Sequence, residues 1–207
     1  MLEFVKEKRR PGRPVGTTKG EQVLSLSDEE LERFLNETRK DKTVRLQFSL
    51  IVYLGLRVSE LVELKVSDVN LSQALAVVTV QGKKGGFKKS YDLPPSLSKQ
   101  LRQYVKTLPK NGLWLFPGRT PEDHVARITL QFLFNRLRDK AGLDRKFSIH
   151  SLRHTTAMRK VRSGDSPVHI QNWLRQRSLE SASRYFRLGA NAEYNARVAE
   201  REDGLFQ

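Results

Sequence analysis

Apolar residues recur at helical spacing along most of the chain after residue 26. In the first such segment, Ser27-Asp28-Glu29-Glu30 has the form of a capping box, and Leu26 and Leu31 are placed to act as its hydrophobic staple. A helix is therefore predicted from Ser27 to about residue 39. The same periodicity, with prolines at two of the starts, predicts further helices at residues 43–56, 59–64, 94–108, 129–141, 151–161, 167–174 and 180–188.

Two segments follow a different pattern and predict strands. Residues 74–80 and 88–93 are rich in β-branched and apolar side chains, and residues 82–87, Gly-Lys-Lys-Gly-Gly-Phe, connect them. This arrangement indicates a β-hairpin with lysines in its turn. The predicted fold class is α+β: a mainly α-helical domain with a small antiparallel β-hairpin sheet.

Positive charge dominates the composition. The 38 Lys and Arg residues outnumber the 23 Asp and Glu residues, which gives a net charge of +15 and a pI of about 10.3. Between residues 145 and 187, ten basic residues stand against two acidic ones. Because a surface that only needs to be soluble mixes its signs, we expect a polyanionic partner, and double-stranded DNA is the default.

Several classes of protein are disfavoured by what the sequence lacks. It contains no cysteine, so disulfides and thiolate metal sites are excluded. No apolar run is long enough to span a bilayer, and the N-terminus has no signal-peptide core. We expect a cytoplasmic, DNA-associated protein with no membrane partner.

Short motifs bring together residue types that suit one chemistry. Arg57 lies in Gly-Leu-Arg-Val-Ser-Glu-Leu, residues 55–61, while His150 and Arg153 lie in His-Ser-Leu-Arg-His-Thr, residues 150–155. Tyr185 follows on a predicted late helix. Planar arginine forks and a histidine suit the charge that builds on a phosphodiester under attack, and a phenolic oxygen can attack it. The set predicts phosphoryl transfer that needs no metal and no cofactor.

On these motifs, about residues 27–188 resemble the catalytic domain of the tyrosine recombinase, or phage integrase, family. The resemblance implies that Tyr185 attacks a DNA phosphate and leaves a 3′-phosphotyrosyl bond and a free 5′-hydroxyl. It implies that Arg57 and Arg153 clamp the nonbridging oxygens, and that His150 donates to the same phosphate or assists proton transfer.

The resemblance also implies that a lysine in the hairpin turn protonates the leaving 5′-oxygen. Lys83 is the first candidate for this role. Lys84 is the alternative, because the turn is one residue longer than the family's Gly-Lys-Gly pattern.

One segment before Tyr185 departs from the family pattern. Where the family has Leu-Gly-His-Ser, this chain has Leu174-Arg175-Gln176-Arg177. Gln176 therefore replaces a histidine or tryptophan at the catalytic site, where it can still donate a hydrogen bond without carrying charge. Basic residues of this segment and of the hairpin are expected to bind DNA, namely Lys84, Lys88, Lys89, Arg175 and Arg177.

His154 raises a different possibility from its spacing. It lies four residues after His150, which would place both on one helical face as in a metal pair. No cysteine and no obvious third ligand accompany the pair, so we predict a packing or supporting role for His154 and no metal site.

The chain is expected to have three parts. Residues 1–25 are rich in Lys, Arg, Gly and Pro and predict a flexible, DNA-contacting arm. Its Pro-Gly-Arg-Pro segment resembles an AT-hook core that would place Arg13 in an A·T-rich minor groove, while plain phosphate contacts are an equally good interpretation. Residues 26–190 form the catalytic domain, and the tail 191–207 is a candidate segment for docking on a neighbouring subunit.

The predicted function is that of a site-specific DNA recombinase or integrase. Exchange between two duplexes needs four active sites, so a homotetramer on DNA is expected, with an accessory DNA-bending protein as a candidate partner. Most family members also carry an N-terminal DNA-binding domain, for which residues 1–25 leave no room. Two alternatives stay open: a catalytically weakened DNA-binding regulator and a topoisomerase-like nicking and closing enzyme.

Overall fold

The computed structural model describes residues 24–83, 86–120 and 122–189, and within these ranges it is mainly helical. Its helices are α1 (Asp28–Glu37), α2 (Lys42–Leu54), α3 (Val58–Val62), α4 (Pro95–Val105), α5 (Arg127–Lys140), α6 (Ile149–Arg162), α7 (Pro167–Trp173) and α8 (Leu179–Gly189). Its strands are β1 (Val69–Asn70), β2 (Val77–Gln81) and β3 (Lys88–Asp92). The predicted fold class is confirmed. The arm with Arg13, the turn residue Lys84 and the tail 191–207 lie outside the described residues.

The first helix begins where the sequence predicts. The Ser27 side chain accepts a hydrogen bond from the Glu30 amide at 3.1 Å, and Glu30 Oε2 accepts one from the Ser27 amide at 2.8 Å. Leu26 and Leu31 are both buried beside this cap. The α-helix ends at Glu37 rather than near residue 39, because the chain tightens there into a single 3-10 turn, Thr38–Lys40.

The sheet has the strand order β1-β2-β3 and is antiparallel throughout. Val78 on the central strand pairs with Tyr91 on β3 and with Val69 on β1. The predicted hairpin is confirmed, although β2 begins at Val77 rather than at residue 74. β1 is not predicted, because two residues are too few for an alternating pattern to be visible.

The larger part of the core lies around α2. Phe34, Phe48 and Phe134 meet there, with ring centroids 5.2 Å, 5.1 Å and 6.4 Å apart. Burying each of these side chains stabilises the fold by about 1.5 to 3 kcal/mol. They tie α1, α2 and α5 together.

A second buried cluster joins α6, α7 and α8. It contains Ala157, Met158, Val161, Ile170, Leu174, Ala182 and Tyr185. Tyr185 is therefore positioned by packing against two preceding helices rather than by its local sequence. No helix within the described ranges combines the length and the apolar content that crossing a bilayer requires.

Two boundaries matter for the candidate site. Arg57 is the residue that precedes α3, at the junction with α2, as predicted. Helix α6 begins at Ile149 rather than at residue 151, because Ser148 and Ser151 form a reciprocal cap. His150 thus lies in the first turn of α6.

Candidate active site

A buried carboxylate, Glu60, is the centre of the site. Its Oε1 accepts a hydrogen bond from Arg57 Nη1 at 2.7 Å, and its Oε2 accepts from the Arg57 amide at 2.9 Å. Arg175 Nη2 lies 2.9 Å and Arg153 Nη1 3.5 Å from Oε2. Burial opposes the charge of Glu60, but Arg175 and Arg153 outweigh it and hold the pKa of this carboxyl below its usual range.

Arg153 is almost completely enclosed, with a relative exposure of 2%. Its Nη1 donates to the Gly55 carbonyl at 2.5 Å, and its Nη2 donates to the Leu174 carbonyl at 2.7 Å. Burial, followed by the nearby Arg57, lowers the pKa of Arg153 to about 10. The guanidinium therefore stays protonated at neutral pH, and backbone oxygens from two distant segments orient it.

Tyr185 lies on α8 against the first turns of α6. Its hydroxyl is 2.9 Å from Nδ1 of His154, and its relative exposure is only 2%. Burial raises the pKa of Tyr185, while Arg153, Arg184 and Arg57 act in the opposite direction. The phenol is therefore neutral at neutral pH and lies in the positive field of the arginines.

His154 lies next to the tyrosine, with its Nδ1 within hydrogen-bond distance of the Tyr185 hydroxyl. Burial, and then the charge that His150 and Arg153 place nearby, lowers the pKa of His154 to about 4. The ring centroids of His150 and His154 are 4.8 Å apart. A neutral His154 can accept a hydrogen bond from Tyr185, and this contact corresponds to the supporting role in the prediction of a packing or supporting residue. In the part of the chain that the structure describes, no group of three or more acidic or histidine side chains is arranged to hold a metal ion.

An open depression of about 650 Å³ lies next to these residues. Its lining includes Arg57 and His150, together with His124 and Arg127. Arg127 is the first residue of α5, and His124 lies just before that helix. His124 and Arg127 were not among the sequence candidates. The sequence around them contains no motif that would have identified them as site residues. They reach the site only because α5 packs beside α3.

Gln176 is buried beside the tyrosine, with a relative exposure of 8%. Its side-chain amide acts to lower the pKa of Tyr185, although burial outweighs this effect. Its Oε1 is buried and has no hydrogen-bond partner. Gln176 thus occupies the place beside the tyrosine that its position in the motif predicted.

Lys83 lies at the edge of the site, at the start of the hairpin turn. Its ammonium group forms an ion pair with Glu63, and both side chains are about one-third exposed. Its backbone amide points at Glu60 Oε1, 3.4 Å away. The turn is therefore anchored near the central carboxylate, while the lysine side chain is held by a different acid.

The basic residues expected to bind DNA fall into two groups. Lys88 and Arg177 are exposed, and Lys89 is half-buried with its ammonium 5.4 Å and 5.6 Å from the ring centroids of Tyr91 and Trp173. Burial, and then nearby positive charge, lowers the pKa of Lys89.

The prediction that Arg175 contacts DNA is wrong. Its relative exposure is 0%, and its guanidinium group donates to acceptors within the protein.

Comparison with known proteins shows which family the chain resembles. The family model of the phage integrase family matches residues 25–191. The tyrosine recombinase XerA of Pyrococcus furiosus is 30% identical over 169 residues, covering 80% of this chain and 58% of that protein. The putative integrase/recombinase y4qK of Sinorhizobium fredii is 36% identical over 138 residues, covering 66% of this chain and 44% of that protein.

Solved structures agree with the fold. A crystal structure of XerA recombinase superposes with a TM-score of 0.71 at 26% identity, covering 93% of this chain and 66% of that one. The XerH site-specific recombinase bound to its difH substrate, in a pre-cleavage complex, superposes with a TM-score of 0.68 at 25% identity, covering 78% of this chain and 49% of that one.

The chain spans about half the length of the curated relatives it matches, 58% of one and 44% of the other. The matched region contains both arginine motifs, the hairpin and Tyr185. The chain is therefore a member of the phage integrase family, with the catalytic-domain fold of the tyrosine recombinases.

Proposed function

We propose that this protein is a site-specific DNA recombinase that cuts and rejoins DNA through a 3′-phosphotyrosyl intermediate. One observation carries the proposal. Tyr185 lies in the field of Arg57 and Arg153, and a single buried carboxylate, Glu60, holds both arginines. A phenolic oxygen next to two fixed guanidinium groups is what attack on a phosphodiester needs.

The reaction can be written with the groups that the site supplies. The Tyr185 oxygen forms a bond to phosphorus as the bond between phosphorus and the 5′-oxygen breaks. The phenolic proton passes to His150, the residue expected to assist proton transfer, while Nδ1 of His154, 2.9 Å from the hydroxyl, orients the phenol. The pKa of His154, lowered to about 4, makes this ring too weak a base to take the proton itself. Lys83 gives a proton to the leaving 5′-oxygen, and Lys84 is the alternative donor. The phosphotyrosyl bond conserves the energy of the diester, so rejoining needs no added energy source.

Arg57, Arg153 and His150 are proposed to bind the nonbridging oxygens. Loss of one preorganised donor of this kind costs about 2 to 4 kcal/mol of transition-state stabilisation. Arg57 and His150 line the open depression, so the phosphate would enter from that side. Gln176 would add a neutral hydrogen bond beside the nucleophile.

Access to the nucleophile sets a condition on this mechanism. Tyr185 is only 2% exposed, and Arg153 is equally enclosed. We therefore propose that α8 shifts when DNA binds. Lys83 must also leave Glu63, and this costs little because an exposed ion pair contributes only about 0 to 1 kcal/mol.

Double-stranded DNA is the proposed substrate and partner. The net charge of +15 favours it, and so does the likeness to the XerH recombinase, whose structure was solved with its difH substrate bound. The exposed Lys88 and Arg177, the half-buried Lys89, and Arg13 of the arm are proposed to contact phosphates or grooves. A homotetramer on DNA, with the tail 191–207 docking on a neighbour, remains a proposal that follows from the four strands exchanged, and an accessory DNA-bending protein remains a candidate partner.

A nicked suicide DNA substrate tests the proposal. Loss of the short strand after cleavage traps the covalent complex, which a denaturing gel and mass spectrometry detect. Tyr185→Phe should keep DNA binding and abolish the complex, while the control Tyr104→Phe, on α4, should form it normally. An adduct on another residue, or a normal complex from Tyr185→Phe, would refute the assignment of the nucleophile.

The binding-regulator alternative also has a specific observation in its favour. Gln176 stands where the family has histidine or tryptophan, and the tyrosine is buried. Under this alternative, DNA binding persists and no covalent complex forms on any suicide substrate. Relaxation of supercoiled DNA that lacks a recombination site would instead favour a nicking and closing enzyme.

A further inference from the structure

Arg175 occupies an unusual place between α7 and α8. Among the described residues, it is the one non-glycine residue with a positive φ, 53°. Glycine adopts this left-handed conformation freely, whereas other residues are strained in it. The side chain is also completely buried, with a relative exposure of 0%. Both the left-handed backbone and the burial of a charged side chain are unfavourable for an arginine. Its presence here therefore points to a specific role for the guanidinium group.

The contacts of Arg175 are those of the site itself. Its Nη2 lies 2.9 Å from Glu60 Oε2 and 3.4 Å from the Gly55 carbonyl oxygen. Its Nη1 donates to the Leu54 carbonyl at 3.1 Å and to the hydroxyl of Tyr91. Glu60 is the carboxylate that binds Arg57, and the Gly55 carbonyl is an acceptor of Arg153.

The backbone of the same residue connects three parts of the site. The carbonyl of Leu174, directly before it, accepts from Arg153 Nη2 at 2.7 Å. Gln176, directly after it, lies beside Tyr185. The Arg175 carbonyl packs so closely on Gly86 of the hairpin that a Cβ there would overlap it. The turn at Arg175 therefore positions the Leu174 carbonyl that binds Arg153, the side chain of Gln176, and the hairpin at Gly86.

We propose that Arg175 is a positioning residue for DNA cleavage, acting through Glu60 and the Gly55 carbonyl on Arg57 and Arg153. The inference rests on the proposed function and extends it to a residue outside both arginine motifs. By holding Glu60 Oε2, Arg175 leaves Oε1 to orient Arg57. The same Oε2 is 2.9 Å from Arg175 Nη2 and 3.5 Å from Arg153 Nη1, so the closer of these two contacts is the one with Arg175.

Charge balance gives this arrangement a functional consequence. Three guanidinium groups share the one carboxylate of Glu60, so the cluster carries three positive charges against one negative. Without Arg175, Glu60 would neutralise a larger share of the charge of Arg57 and Arg153. With it, both arginines keep positive charge for the phosphate that arrives with DNA.

A double-mutant cycle separates positioning from simple stabilisation. Arg175→Gly is the informative change, because glycine keeps the left-handed turn while the guanidinium is removed. Cleavage is measured in a single turnover with saturating suicide substrate, in the wild-type background and in Arg57→Ala. We expect Arg175→Gly to slow cleavage about tenfold to a hundredfold in the first background and by a clearly smaller factor in the second, where only its action on Arg153 remains. The dissociation constant for intact DNA should change less than about threefold.

The matched control is Arg138→Ala, which removes another buried arginine. Its acceptors are Asn135, Asp139 and the Arg145 and Phe147 carbonyls, and they include neither Glu60 nor the Gly55 carbonyl. It should lower the melting temperature without slowing cleavage. Equal slowing by Arg175→Gly in both backgrounds, or cleavage within about threefold of wild type in a folded Arg175→Gly protein, would overturn the inference.

A second measurement does not depend on activity. Side-chain ¹⁵N spectra of Arg57 and Arg153 should show slowly rotating guanidinium groups in wild type and broadened or averaged signals in Arg175→Gly. Unchanged spectra would overturn the inference even if the wild-type protein cleaved no DNA. A wild-type protein that forms no covalent complex, with spectra that do change, would refute the proposed function alone.

Discussion

Acidification should destabilise this protein through His154. Burial, together with the charge that His150 and Arg153 place nearby, lowers the pKa of His154 from 6.5 to about 4. A histidine with a lowered pKa binds its proton more weakly in the folded state than in the unfolded chain. Its contribution to the free energy of unfolding is therefore complete above about pH 6.5 and is lost as the pH falls through 4.

The magnitude follows from the difference between the two pKa values. A change from 6.5 to about 4 corresponds to about 3 kcal/mol, spread over the pH range between them. This is a large share of the 5 to 15 kcal/mol that stabilises a typical domain. Once protonated, His154 Nδ1 can no longer accept a hydrogen bond from the Tyr185 hydroxyl and can only donate to its oxygen.

Urea unfolding between pH 4 and pH 7.5 measures the effect. The free energy of unfolding is compared at each pH between wild type and His154→Gln, which cannot titrate. We expect wild type to lose about 3 kcal/mol more than the variant on acidification, because other groups titrate alike in both proteins. Gln103→Ala, at an exposed residue of α4 that cannot titrate, serves as the control and should keep the wild-type profile.

Parallel pH profiles for wild type and His154→Gln would refute the reasoning. They would mean that the imidazole is protonated in the folded protein with no penalty. Direct titration of the His154 ring by NMR would give the same answer independently.

Three further predictions concern the surroundings of the site. Glu63→Gln should speed cleavage up to about fivefold in single-turnover assays, because Lys83 no longer leaves an ion pair worth about 0 to 1 kcal/mol; slower cleavage would contradict this. Gly55→Ala should lower the free energy of unfolding by about 2 kcal/mol in urea titrations, because φ is +60° and a Cβ would overlap Leu174; unchanged stability would contradict this. Gln176→Ala should slow cleavage about tenfold to a hundredfold with little change in folding, and unchanged rates would remove this residue from the site.

The sequence alone predicted a helix or strand, and the residue where it begins, wherever one short motif specifies that boundary. The capping box at Ser27, the hairpin between residues 82 and 87 and the junction at Arg57 all follow from residues close in sequence. Where the sequence signal is less specific, the helix begins at a different residue from the predicted one. Helix α6 begins two residues before its predicted start, because the cap is a pair of serines that resembles an ordinary loop.

The motifs identified the family and the residue types of the chemistry, but they did not reveal the connections among them. Glu60 was visible only as a neighbour of Arg57 in sequence. That it also binds Arg153 and Arg175, nearly a hundred residues or more away, depends on how α3, α6 and the turn after α7 pack. Contacts between distant segments leave no periodic trace in a single sequence.

Arg175, His154 and Lys83 show most clearly what tertiary structure decides. By charge alone Arg175 resembles a DNA contact, yet it is buried because Glu60 and backbone carbonyls surround it. His154 was predicted to have a packing or supporting role, and only the folded structure shows that it supports the Tyr185 hydroxyl. Lys83 resembles a free turn lysine, yet it is paired with Glu63. The sequence by itself determined which chemistry this chain can carry, because residue type and local motif specify that. Only the folded structure decided which groups are buried, paired and charged, because burial and partner distance are properties of packing.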